Sequence, residues 1–236
     1  MKHLPTMLKM DISLQARYGF YYAALFVVLL WISVIRALPQ EILDMAATFV
    51  VFADLGIVGL MFIAGQVLFE KGERTLYVLV TTPLTFAEYL TSKLVSLTVL
   101  AWLISVAMVT ATYGPGYNLA ILTAGIVPMS VIALLVGLIA VSPYTSISNF
   151  TVVIPLYVFV LSLPLLDYFG WVRSPLMYLV PTQGSLLLLQ GAFRPVAGWE
   201  IAGALAHQVV WIAVLVHWAK ARFERYVIAR EGGRST

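Results

Sequence analysis

Cysteine is absent from the 236-residue chain, which excludes disulfides, thiolate metal sites and cysteine nucleophiles. Charge is scarce too. Asp, Glu, Lys and Arg make up 11% of the residues, against roughly 25% in soluble domains, so a soluble core is a poor reading. Histidine is limited to His3, His207 and His217. The last two are ten positions apart, about 80° around one helix, which suits a packing or pore-lining residue and an interfacial one rather than a ligand pair. No Gly-x-x-x-x-Gly-Lys-Ser/Thr loop is present to cradle nucleotide phosphates, and there is no His-Glu-x-x-His and no Gly-x-Ser-x-Gly. The acidic residues form no paired acid/base arrangement. An enzyme is not expected. The net charge of +3 is small and follows from where the basic residues sit, so no nucleic-acid partner is expected either.

Apolar residues fill the space that charge leaves, at 61% of the chain and a mean hydropathy of +0.96. Apolar runs of about 18 or more residues with few charges are candidate membrane helices. They recur at 19–38, 49–69, 94–112, 119–141, 150–166 and 201–218. The expected fold is an all-α integral membrane protein of one domain, residues 1–236, with six spans in a lipid bilayer. The first run is too long for a signal-peptide core and has no small-x-small cleavage site, so it reads as a retained anchor. Pro155 and Pro164 kink or frame the fifth span. The sequence 113–118 is a Gly/Pro turn and 142–149 a short uncharged loop.

Residues 1–18 read as a helix lying in the membrane interface, with an ordinary basic flank of the first span as the alternative. Lys2, Thr6, Lys9, Ser13 and Arg17 share one face, and most apolar residues share the other, which Asp11 and Gln15 spoil. Asp54 falls near the outer end of the second span and reads as interfacial, with an ion- or proton-coupling role as the lesser alternative. Residues 167–200 are too apolar for a water-exposed loop. Pro175, Pro181 and Pro195 break the segment around the run Leu186–Leu189, which suits a re-entrant hairpin packed against protein, with a seventh, poorly formed span as the lesser alternative.

Six spans place both termini on one side. With the termini inside, the inner segments hold Lys2, Lys9, Arg17, Lys71, Arg74, Lys93, Lys220, Arg222, Arg225, Arg230 and Arg234, and the outer ones only Arg36, Arg173 and Arg194. The positive-inside rule therefore makes the termini and residues 70–93 cytoplasmic.

The stretch 70–93 holds six of the chain's 14 basic and 11 acidic residues. Glu70, Glu73, Arg74, Tyr77 and Thr81 gather on one helical stripe, opposite Gly72, Leu76, Leu79 and Val80. Thr82 and Pro83 stop that helix, because the residue before proline avoids the helical region. Thr85 and Glu88 have capping-box spacing, so a second helix starts near Phe86 and continues through Lys93 into the third span. An ordinary connection needs only a few residues. A structured elbow of this length has something to meet in water.

Glu70-Lys71-Gly72-Glu73-Arg74-Thr75-Leu76, then Thr81-Thr82-Pro83-Leu84, then Glu88-Tyr89-Leu90 and Lys93, resemble the signature after the second span of type-2 ABC transporter permeases. The runs 11–22 and 69–93 look most like the fluoroquinolone-export permease subgroup. The resemblance implies an ATP-driven exporter of a hydrophobic or amphiphilic substrate, a drug or a lipid. It implies a second permease copy or paralogue and separate ATP-binding subunits that carry ATP and Mg²⁺. It also makes the elbow a coupling helix, with Glu70, Glu73, Arg74, Tyr77 and Thr81 as its contact with the ATPase and Thr82-Pro83 as its hinge. Pro181, Thr182 and Gln183 then belong to the outer exit. A non-transporting scaffold or sensor subunit that docks a partner through the same elbow is the alternative.

Overall fold

The computed structural model describes residues 3–73 and 85–228, which are helical with short connections and contain no strand. Helix α1 is Leu4–Arg17 and α2 is Phe20–Arg36, with Gly19 between them at φ 77° and a bend of 64°. An L side chain avoids that backbone conformation, and a Cβ on Gly19 would meet nothing within 4 Å. The penalty of a substitution is therefore purely conformational. Gly19→Ala is expected to destabilise the protein by about 1 kcal/mol, read as a lowered midpoint of thermal unfolding in detergent.

A 3₁₀ turn at Gln40–Ile42 leads into α3, Leu43–Gly72. This helix begins six residues before the expected second span, because Ala47 and Thr48 are already packed and Asp44 sits favourably in the first turn, at the positive end of the helix dipole. Asp54 is the twelfth residue of this 30-residue helix and is buried within the protein.

Helix α4, Phe86–Tyr113, starts at the capping box that the sequence indicates. The Glu88 backbone N–H donates to Thr85 Oγ1 at 3.3 Å, and the Thr85 N–H donates to Glu88 Oε2 at 3.2 Å. Asn118 then caps α5, Leu119–Val141, by accepting from the Ala120 and Ile121 N–H groups at 3.1 Å.

Helix α5 is the core of the bundle. It packs against α3 on one side and against the later helices on the other, burying residues such as Ile126, Met129, Ile132 and Leu138. Lipid tails are as apolar as leucine, so helices in a membrane associate through close packing at small residues. Gly137 on α5 is such a point: a Cβ there would lie 2.9 Å from the Leu60 carbonyl oxygen of α3 and would collide with Ile63.

The expected fifth span is three pieces: α6 Ile147–Thr151, α7 Ile154–Ser162 and α8 Pro164–Tyr168. Pro155 and Pro164 each sit in the first turn of a piece, where the missing N–H does no harm. A 3₁₀ turn, Pro175–Leu179, precedes α9, Gln183–Gly191. Nine residues span only about 14 Å. This short helix is almost wholly buried, between α5, α10 (Gly198–Phe223) and α3. A π-helical turn, Glu224–Ile228, ends the described chain.

Four of the described helical stretches are long and apolar enough to cross a membrane: Gln40–Gly72, Phe86–Tyr113, Leu119–Val141 and Gly198–Tyr226. The bent pair α1–α2 makes a fifth when its two helices are counted as one broken span. The first and fifth of the six expected spans are the ones that fall short on their own. α2 has 17 residues, about 25 Å of helix, and Ile147–Ser162 is broken.

Candidate functional site: a buried ionic cluster at the base of the elbow

Three polar stripes converge where α3 ends and α4 begins. On α3, Gln66 and Glu70 are one turn apart on the same face, as are Asp11 and Gln15 on α1 and the set Tyr89, Ser92, Lys93 and Ser96 on α4. All three helices turn these stripes toward one another.

Lys93 is the centre. Its side chain is fully buried, with Nζ 3.0 Å from Asp11 Oδ1 and also bonded to Glu70 Oε1. Gln66 Nε2 donates to Asp11 Oδ1 at 2.7 Å, and Ser92 Oγ donates to Asp11 Oδ2. The Tyr89 hydroxyl donates to Glu70 Oε2 at 2.8 Å, while the Lys93 ammonium lies 4.6 Å from the centre of the Tyr89 ring. Tyr89 in turn packs on Phe223 of α10, ring centres 5.1 Å apart. The polar chain runs outward through Gln15, whose Nε2 donates to Ser96 Oγ at 2.9 Å and whose Oε1 accepts from Tyr21 of α2 at 3.2 Å.

Removing charges from water is expensive, and a buried ion pair adds little net stability over an apolar pair. Removing one partner is what is costly, because the other charge is stranded. The cluster therefore fixes the register of α1, α3 and α4 rather than merely gluing them. Neighbouring bonds extend the same block. Lys71 Nζ donates to the carbonyls of Ser142 and Tyr144, each at 2.7 Å, at the C-terminal end of α5. The His3 N–H donates to Glu88 Oε1 at 3.3 Å.

This geometry revises the reading of α1. The side that faces the bundle carries Met7, Asp11 and Gln15, while Met10 and Ile12 are exposed. Asp11 and Gln15 look like blemishes on an apolar face, yet they are the docking residues. Their one-turn spacing, matched by Gln66 and Glu70, was the signal in the sequence.

Glu70, expected on the outward stripe, is 3% exposed and turned into the cluster. Glu73 is on the surface, with its Oε1 3.7 Å from Arg17 Nη2. Arg74, Tyr77, Thr81, Thr82 and Pro83 lie outside the described residues.

At the other end, Pro181, Thr182 and Gln183 are buried at the start of α9, and Thr182 Oγ1 donates to the Leu161 carbonyl of α7 at 2.7 Å. The Thr182 bond ties the start of α9 to α7. His207 on α10 bonds through Nε2 to the Tyr178 carbonyl at 2.8 Å, and Gln208 Nε2 donates to Ser185 of α9 at 2.7 Å. Arg194 pairs with Asp44 at 2.7 Å, tying the segment after α9 to the start of α3 and holding the Arg194 guanidinium above its usual range.

The profile of the fluoroquinolones export permease protein family matches residues 2–231. Two proteins of Mycobacterium tuberculosis, from strain CDC 1551 / Oshkosh and from strain ATCC 25618 / H37Rv, are each called a fluoroquinolones export permease protein. Each is 39% identical to this chain over 236 residues, covering 98% of it and 99% of the relative. With its apolar helices and this match over nearly its whole length, the chain is a multi-pass membrane protein and belongs to the fluoroquinolones export permease family.

Proposed function

We propose that this chain is the membrane subunit of an ATP-driven exporter, moving an amphiphilic antibiotic out of the cell. Fluoroquinolones, named for the relatives, are the leading substrate class. ATP and Mg²⁺ are held by a separate ATP-binding subunit, and a second permease copy or paralogue completes the membrane part. Both termini and the elbow are cytoplasmic in the cell membrane. Six spans cross the bilayer, with the broken run 147–168 as the fifth and α9 as a re-entrant helix near the outer exit.

The observation that carries this reading is the ionic cluster. It joins the base of the elbow to α1, α3 and α4 through Asp11, Glu70 and Lys93. A push on the elbow is then delivered to three helices at once and, through Tyr89 and Phe223, to α10. Such a block suits a lever that shifts the bundle between two states of access. The partner contact falls on Glu73 and the stripe that follows it, Arg74, Tyr77 and Thr81, with Thr82-Pro83 as hinge. Glu70 serves by anchoring the lever from inside.

Glu73→Arg reverses a surface charge without touching the cluster. It is expected to weaken co-purification of the ATP-binding subunit at least tenfold, with membrane insertion unchanged and stability lowered by no more than about 1 kcal/mol through loss of the exposed Arg17 pair. Undiminished co-purification moves the docking face elsewhere on the elbow.

A further inference from the structure

Asp54 belongs to none of the networks described above. It is 6% exposed, and its Oδ1 has no hydrogen-bond partner. It lines a cavity of about 20 Å³ between α3, α4 and α5, enough for one water or one small cationic group. Ser130 and Leu134 are buried in its wall, with Ser130 Oγ bonded to Thr98 Oγ1 at 3.3 Å. Val58, Phe62 and Ile104, half-buried and apolar, line it as well.

Among the described residues, no other titratable side chain lines this cavity. From α2 the neighbour of the carboxyl is the Trp31 indole, and α9 has no titratable residue. Tyr157 of α7 packs on the apolar cluster around Leu60 and Leu138, which also takes in Leu97 and Leu134 of the cavity wall, but Tyr157 itself does not line the cavity. Asp11, Glu70 and Lys93 meet α3 twelve or more residues further along, about 18 Å away.

A carboxylate within a membrane helix, with no cation in reach, is costly to keep ionised. It is stable either as the neutral acid or with a positive charge beside it. The apolar part of the lining suits the hydrocarbon part of an amphiphile, and the cavity itself has room for its charged tip.

We propose that Asp54 and this cavity form a single-cation site, occupied by a proton at rest and by the protonated amine of an amphiphile on loading. Binding replaces the carboxyl O–H with an ammonium–carboxylate pair and releases the displaced proton to water. The ligand class rests on the export reading, but the site does not. The site is tested without ATP or partner subunits.

The test uses the full chain in lipid nanodiscs, in weakly buffered solution, with decylammonium chloride as probe, decanol as its uncharged counterpart and empty nanodiscs as blank. A pH-sensitive dye reads proton release, and probe binding is measured in parallel. Wild type is expected to release protons in proportion to decylammonium bound, and none with decanol. Asp54→Asn is expected to abolish release and weaken decylammonium binding about 10- to 100-fold, with Asp54→Glu restoring part of both. Equal release from wild type and Asp54→Asn overturns the proposal, as does decylammonium binding without release or no binding at all. Failure of drug export alone leaves these results unaffected and counts against the export reading only.

Discussion

Lys93→Ala is expected to destabilise the protein by about 3–5 kcal/mol, the largest effect of any single substitution considered. Among the described residues, Lys93 is the basic side chain bonded to both Asp11 and Glu70, and all three side chains are buried. Without it, two carboxylates face each other across an apolar interface. Among the described residues their other donors include Gln66, Ser92 and Tyr89, which are neutral. The deficit should shrink as pH falls, because protonating the stranded carboxyls removes the buried charge. Thermal unfolding in detergent across a pH series reads both effects. Lys93→Met combined with Asp11→Asn and Glu70→Gln removes every charge together and is expected to recover much of the stability. If the neutral triple variant is stable yet export is lost, the network serves the lever. If export survives in it, the network serves folding alone.

The second large effect is at Gly137. A Cβ there meets the Leu60 backbone oxygen, which cannot swing aside as a side chain can. Gly137→Val is expected to push α5 from α3 and destabilise the protein by about 1–3 kcal/mol. Gly125, also on α5, is a useful comparison: its closest neighbours are the Leu189 Cδ2 at 3.0 Å and the Leu189 N–H nitrogen at 3.1 Å, partly a movable side chain. The ordering Gly137→Val more damaging than Gly125→Ala, seen as unfolding midpoints of the two variants, checks whether the α3–α5 seam is the tighter one.

Much of the architecture was legible from periodicity and local chemistry. The bounds 119–141 follow from an apolar run between an asparagine cap and a polar loop, and α5 has those bounds. The Thr85–Glu88 box marks the start of α4 for a local reason, two orphan backbone donors satisfied by two side chains. What was not legible depends on contacts between distant segments. Asp11 and Gln15 look out of place on α1 until Lys93 and Ser96, some 80 residues away, come to meet them. The burial of Asp54 depends on how α3 packs against α4 and α5, which hydropathy along one helix does not show. Glu70 has the surface periodicity of Glu73, yet the two face opposite ways, because one charged residue on that stripe has a buried lysine to meet.

The central claim is that ATP bound elsewhere drives this chain through its elbow. The direct measurement is fluoroquinolone accumulation in inside-out membrane vesicles holding the permease with its ATP-binding subunit. Accumulation is expected only with hydrolysable ATP, to survive Gly19→Ala, and to fall with Glu73→Arg in parallel with loss of the ATP-binding subunit. Accumulation that proceeds without ATP, or that persists in Glu73→Arg vesicles stripped of that subunit, contradicts it.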